Sequence, residues 1–213
     1  MATLTDIEAQ ILEARLKVYG HTLQDLEGKD YHTGQQVKSE AGRALCFGHP
    51  DGGVDIAGTV REVKDIADMK RLGGVPDYHY TDEKLSDSHI DYPPPPPKSA
   101  LAACETHAGD VCRLQDALDP ETLGNVARAA RAYLTGNSAK VKDWEPVINA
   151  MQFPVSGTVI NAGDVVVSPG NPLRIDGPGP VAYNAKSITV EPGGQILVST
   201  EVTFNVGVFT VQP

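Results

Sequence analysis

The chain has 213 residues and a formal net charge of −10, with 40% hydrophobic and 22% charged residues. These are globular values, enough for one large domain or two small ones. The acidic balance, with no basic cluster denser than Lys140-Val-Lys142, excludes nucleic-acid and anionic-membrane partners, which are held by summed Lys and Arg contacts. No apolar run approaches the ~18 residues of a transmembrane helix. Met1–Glu8 lacks the basic start and apolar core of a signal peptide. The expectation is a cytoplasmic protein, or one exported by a route without such a signal. An odd cysteine count, three, does not make a disulfide framework.

Residues 5–27 read as an amphipathic helix. Thr5-Asp-Ile-Glu8 is a capping box, in which hydroxyl and carboxylate satisfy N–H groups of the first turn. Ile7, Ile11, Ala14 and Val18 form one stripe, with Leu12, Leu16, Tyr19, Leu23 and Leu26 beside it. Gly20 weakens the middle and Gly28 marks the stop. So wide a stripe faces either the core or a partner helix. Residues 29–58 are polar and Gly-rich and read as loop with a short strand. A second capping box, Thr59-Val-Arg-Glu62, opens a helix to about Arg71.

Pro93–Pro97 is a run of five prolines that must be extended polyproline II, serving as a rigid spacer or as a docking motif for an aromatic groove. Helical composition follows at Ser99–His107 and Arg113–Leu118. Asp119-Pro120-Glu121 is the clearest helix start in this half of the chain, closed by Gly136. Ser138 can cap a last short helix, interrupted by Pro146.

After Pro154 the apolar period changes from helical to alternating, which places a domain boundary near 152. Val159–Ile175 and Ala182–Val198 align without a gap at an offset of 23. Asn161/Asn184, Ala162/Ala185, Val167/Val190, Pro169/Pro192 and Gly170/Gly193 are identical. Asn205–Pro213 begins a third copy, carrying Val206, Phe209 and Val211 at its apolar positions. Pro-Gly makes the turn, since Pro presets φ at the first corner and Gly accepts a positive φ at the next. A unit of this kind cannot bury its apolar face alone and needs neighbours. The copies, with phrases such as Ile188-Thr-Val-Glu-Pro-Gly-Gly194, resemble rungs of parallel β-helix proteins over about a quarter of the chain. The alternative is a small antiparallel sandwich or jelly roll with shared turn residues.

The candidate chemistry is two Cys-x-x-His pairs, Cys46/His49 and Cys104/His107, whose thiolates and imidazoles are ligands zinc prefers. A Cys104–Cys112 disulfide is the option in an oxidising compartment. Asp51 and Asp55 sit in a loop that does not complete a Ca²⁺ pattern. No Gly-x-Ser-x-Gly, His-Glu-x-x-His or P-loop phrase is present. The reading is α+β: a mainly helical region over 1–151, then an all-β repeat module over 152–213, solenoid-like or sandwich. The expected role is structural or binding and not enzymatic, with the β module mediating self-assembly into a homo-oligomer or binding a protein or glycan surface. A zinc-stabilised domain or metal-dependent enzyme and a carbohydrate-binding module are the alternatives.

Overall fold

The computed structural model describes residues 4–36, 43–81 and 85–213. Met1–Thr3 of the signal-peptide reading, residues 37–42 of the expected loop and residues 82–84 ahead of the prolines lie outside them. The chain forms two compact units. One joins the residues up to Arg61 to Ser156–Pro213; the other is Glu62–Val155. The single boundary expected near 152 thus differs from the division observed, because strands from the first sixty residues pair with the repeat strands.

In the first unit, α1 (Asp6–Val18) begins at the expected capping box. The Glu8 carboxylate accepts the Thr5 N–H at 2.7 Å, and the Thr5 hydroxyl accepts the Glu8 N–H at 3.3 Å. It stops well short of Leu26, because Gly20 adopts φ +75 and unwinds the chain there. A 3₁₀ turn, Leu23–Leu26, follows. The wide apolar stripe divides: Leu12, Leu16 and Leu26 are buried together, while Ile7, Ile11 and Val18 stay exposed.

The segment read as loop contains β1 (Tyr31–His32), α2 (Thr33–Gln36), β2 (Leu45–Gly48) and β3 (Ile56–Ala57). The second capping box is overturned, for Thr59 opens the strand β4 (Thr59–Val63). Its Thr, Val and Val are β-branched and favour the extended chain, and β4 pairs with β5 (Val155–Val167). Next come β6 (Leu173–Asp176), β7 (Val181–Val190), β8 (Ile196–Val198) and β9 (Val202–Val211).

One sheet runs β1-β5-β7-β9, with β4 also on β5; the other runs β3-β2-β6-β8. From β5 onward the chain therefore alternates between sheets. Every strand pair with a described register is parallel, which rules out the antiparallel jelly roll. The sequence offset of 23 is the pairing register itself: Asn161 lies opposite Asn184 and Val167 opposite Val190. The third copy is in register too, with Asn205 opposite Asn184 and Val211 opposite Val190. Gly170 and Gly193 take φ +75 and +80 at the two Pro-Gly corners. The core between the sheets is built from like residues in rows, Val165 over Ile188 and Leu45 over Leu173, with Phe47 meeting Tyr31 and Tyr183 edge-on.

The second unit is helical: α3 (Ile66–Gly73), α4 (Tyr78–Thr81), α5 (Lys98–Thr106), α6 (Val111–Ala117), α7 (Pro120–Thr135), a 3₁₀ segment Ser138–Trp144 and α8 (Glu145–Gln152). Asp65 caps α3, accepting the Asp68 N–H at 2.6 Å. Asp119 caps α7 with Pro120 at its first position, as the sequence leads one to expect. Two details differ. Asn137, not Ser138, caps the 3₁₀ segment, and Pro146 lies in the first turn of α8, where its missing N–H costs nothing. Ile66, Leu114, Val126, Trp144 and Ile148 are central to the core. The polyproline run lies along this core: Pro93 is buried and Pro96 half-buried, three residues apart as the three-fold helix requires, and the Trp144 indole N–H donates to the Pro94 carbonyl at 2.8 Å. No helix among the described residues is long and apolar enough to cross a membrane.

Candidate functional site

The two Cys-x-x-His pairs fall in different units, Cys46/His49 in the parallel β unit and Cys104/His107 in the helical one. Cys46 stands on β2 in the face opposite Leu45 and Phe47, and burial together with the Asp55 carboxylate pushes its thiol up. His49 caps the turn after β2, its Nδ1 accepting the Asp51 N–H at 3.2 Å. Cys104 lies on α5, its thiol raised by burial, and His107 closes that helix. All three cysteines are free thiols, with Cys112 exposed. Among the described residues no three His, Cys, Asp or Glu side chains gather in a way that could hold a metal ion.

A second cluster, which sequence reasoning did not find, joins Lys70 of α3, Asp77 and Ser138 in the helical unit. The Lys70 ammonium donates to the carbonyls of Tyr133 at 2.6 Å and Gly136 at 2.8 Å and stands 3.0 Å from Asp77. The Ser138 hydroxyl donates to Asp77 at 2.6 Å, and the Ser138 N–H at 2.8 Å. Burial drives the Lys70 pKa down, against Asp77, which favours the charge. Burial also disfavours the Asp77 carboxylate, but its bonds from Ser138 and Lys70 outweigh this and hold its carboxyl below the usual range. Lys70 has three N–H donors and three partners. Its bonds to the Tyr133 and Gly136 carbonyls close the C-terminal end of α7. No sequence motif announces the trio, since its members lie 7 and 61 residues apart.

The parallel β unit also holds a cleft of about 330 Å³, lined by Leu4, Leu23, Leu26, Asp30, Asp164 and Lys186 among others. Its polar groups serve one another. Asp30 accepts the Asp164 N–H at 2.7 Å, Asp164 accepts the Ser187 hydroxyl at 2.6 Å, and the Lys186 ammonium is 3.9 Å from Asp164.

The feature most out of keeping with a closed core is the end of the parallel unit formed by β8 and β9. Inward-facing rows that are dry elsewhere reach the surface here. Val165 and Ile188 are 0% exposed, and Phe209, next in their row, is 52% exposed. Val167 is 0% exposed and Val190 8%, then Val211 67%. In the other sheet, Phe47 and Ile175 give way to Val198, 47% exposed. On β9, beside Phe209 and Val211, Val206 is half-buried. Pro169, Gly170, Pro192 and Gly193 form the corners that hold successive strands in register.

The opposite face of β9 is covered. Asn205 donates to the Asn184 side chain at 3.0 Å and to the Tyr19 hydroxyl at 2.8 Å, and Asn184 donates to Asn161 at 2.9 Å. This asparagine ladder runs across β5, β7 and β9 and ends at the residue that closes α1. A side chain at Gly207 would collide with Leu4, with Leu12 close behind, which keeps α1 close against the strand there. Sequence reasoning noted the repeated asparagines without their role. One asparagine per rung, at offsets of 23 and then 21 residues, was the available signal.

Comparison with protein-family models, with curated proteins and with solved structures finds no match to this chain.

Proposed function

We propose that this protein is a non-enzymatic, self-associating scaffold, and that its parallel β unit is a short β-solenoid whose β8–β9 end is the associating surface. The observation that carries this reading is the exposure of core-row residues there: Phe209, Val211 and Val198 continue rows that are buried one strand earlier. Singly exposed apolar side chains are ordinary, but three that continue buried rows of both sheets at the same end of the unit mark an interaction site. The helical unit brings no competing chemistry. Among its described residues the buried cation, Lys70, is consumed in closing α7. Light scattering after size exclusion tests the reading. A mass above the 22.6 kDa of one chain, rising with concentration, is expected. A species that stays at one chain mass across the concentration series overturns it.

A further inference from the structure

The two edges of the parallel unit are unlike. At the first edge, β1 and β3 have two residues each, and β4 brings Arg61 and Glu62 to the boundary. Short strands and charges are the devices by which sheets refuse a further strand. At the last edge, β9 is ten residues long, and Val202–Pro213 contains no charged residue and no proline before Pro213. No further strand pairs with β9 among the described residues.

Resting on the scaffold reading above, we infer that the occupant of this end is a second copy of the same chain, joined about a two-fold axis with β9 of one copy antiparallel to β9 of the other. Charge selects the occupant. Two chains of net charge −10 repel, and the stretch Val202–Pro213 is where they meet without opposing charges. A basic partner would find no carboxylate on β9 itself to pair, the nearest being Glu201 ahead of it. Need also selects it, since each copy must cover Phe209, Val211 and Val198, and one self-complementary contact covers both sets. The edge asymmetry closes the assembly. Head-to-tail growth would require β9 to dock on the β1/β3/β4 edge, which is interrupted and charged, so the pair stops at two. The α1 contacts at Asn205 and Gly207 lie on the opposite face of β9 from Phe204 and Val206, and leave the inward row free to be covered.

The test uses the intact chain and a Phe209→Lys/Val211→Lys variant, substituted only where side chains are already exposed. Expected are a wild-type mass of two chains and a dissociation constant raised by at least about 30-fold in the variant, with unchanged circular dichroism. A spin label at Thr210→Cys, in a background with the native cysteines changed to Ser, should report one short inter-copy distance. A dimer that survives the double substitution overturns the β9 surface while leaving self-association standing. Fibres or a ladder of larger species overturn the two-fold closure and also leave it standing. A monomer at every concentration overturns the inference together with the reading beneath it.

Discussion

In the parallel β unit, the fully buried Asn184 is held by its counterparts in neighbouring strands, giving a bond to Asn161 and receiving one from Asn205. In the helical unit, the buried Lys70 is held by groups that resemble it in nothing: two carbonyls at the end of α7 and the Asp77 carboxylate. The same contrast runs through the apolar interiors. Val rows over Val in the sheets, whereas Trp144 meets a proline strap fifty residues earlier in the chain. A repeated unit solves a burial problem once and copies the solution. A single-use fold must supply a dedicated partner for each buried group. Damage should therefore be concentrated at single residues in the helical unit and graded along rows in the β unit.

The largest effect should come from Trp144→Ala. It empties the space of the largest buried side chain and frees the Pro94 carbonyl, at an expected cost of about 3–5 kcal/mol by urea denaturation. Trp144→Phe keeps most of the volume and loses the hydrogen bond, so about 1–2 kcal/mol is expected. Equal losses for the two would show that the indole N–H, and not its packing, fixes the strap. Next is Asp77→Ala, which strands the Lys70 ammonium. Loss of about 2 kcal/mol is expected, below the ~3–5 kcal/mol of a fully buried pair because Asp77 is 39% exposed. Its pH dependence has a definite sign. The folded Asp77 carboxyl titrates below its ordinary value of 3.8, so the folded protein holds fewer protons there. This stability is present above that value and lost as pH falls through the lower, folded one. Acid unfolding of Asp77→Asn should start from lower stability and lack this component.

The contrast also governs what the sequence discloses. The offset of 23 between Asn161 and Asn184 is visible in the letters because each rung repeats its chemistry, and it is the strand register without adjustment. Thr5/Glu8 and Asp119-Pro120 are legible for another reason: a helix start is decided within four residues. Thr59-x-x-Glu62 has the same grammar and is a strand. Its pairing with β5 lies some hundred residues away, and Asp65 offers α3 a local cap. β1 and β2 were hidden likewise, since Tyr31 pairs with Val165 and Leu45 with Leu173 while carrying none of the repeat's turn phrases. At the candidate site, Phe209 and Val211 could be named from the unfinished third copy. Their exposure goes with there being no further strand beside β9 among the described residues, which no local pattern encodes. The Cys-x-x-His pairs looked equivalent because spacing alone carries no information about which unit each pair joins.

Along the asparagine row the expected effects are smaller and ordered. Asn184→Ala removes the middle of the ladder, leaving Asn161 without its donor and Asn205 with Tyr19 alone, and about 1–2 kcal/mol should be lost. Asn161→Ala, at the half-exposed end, should cost less, since water can replace part of what the ladder gave. Equal costs at both positions, measured by thermal unfolding, would mean that each amide acts alone and that the row is a coincidence of register.

The smallest effect should have the opposite sign. Tyr183 belongs to an inward row with Ile160 and Phe204, positions filled by apolar groups, yet it carries a hydroxyl. Its ring packs against Phe47 and Phe204, while its hydroxyl has no hydrogen-bond partner among the described residues. Burial, with Tyr31 adding to it, pushes the phenol far above its ordinary pKa, so the group stays neutral throughout the working range. A neutral hydroxyl without a partner still forfeits its bonds to water on folding. Tyr183→Phe retains the ring and removes that cost, so the variant should be more stable by about 1 kcal/mol in the same unfolding measurement. Destabilisation instead would mean that the row needs the oxygen. The like-on-like rule for the β interior would then fail at its largest residue.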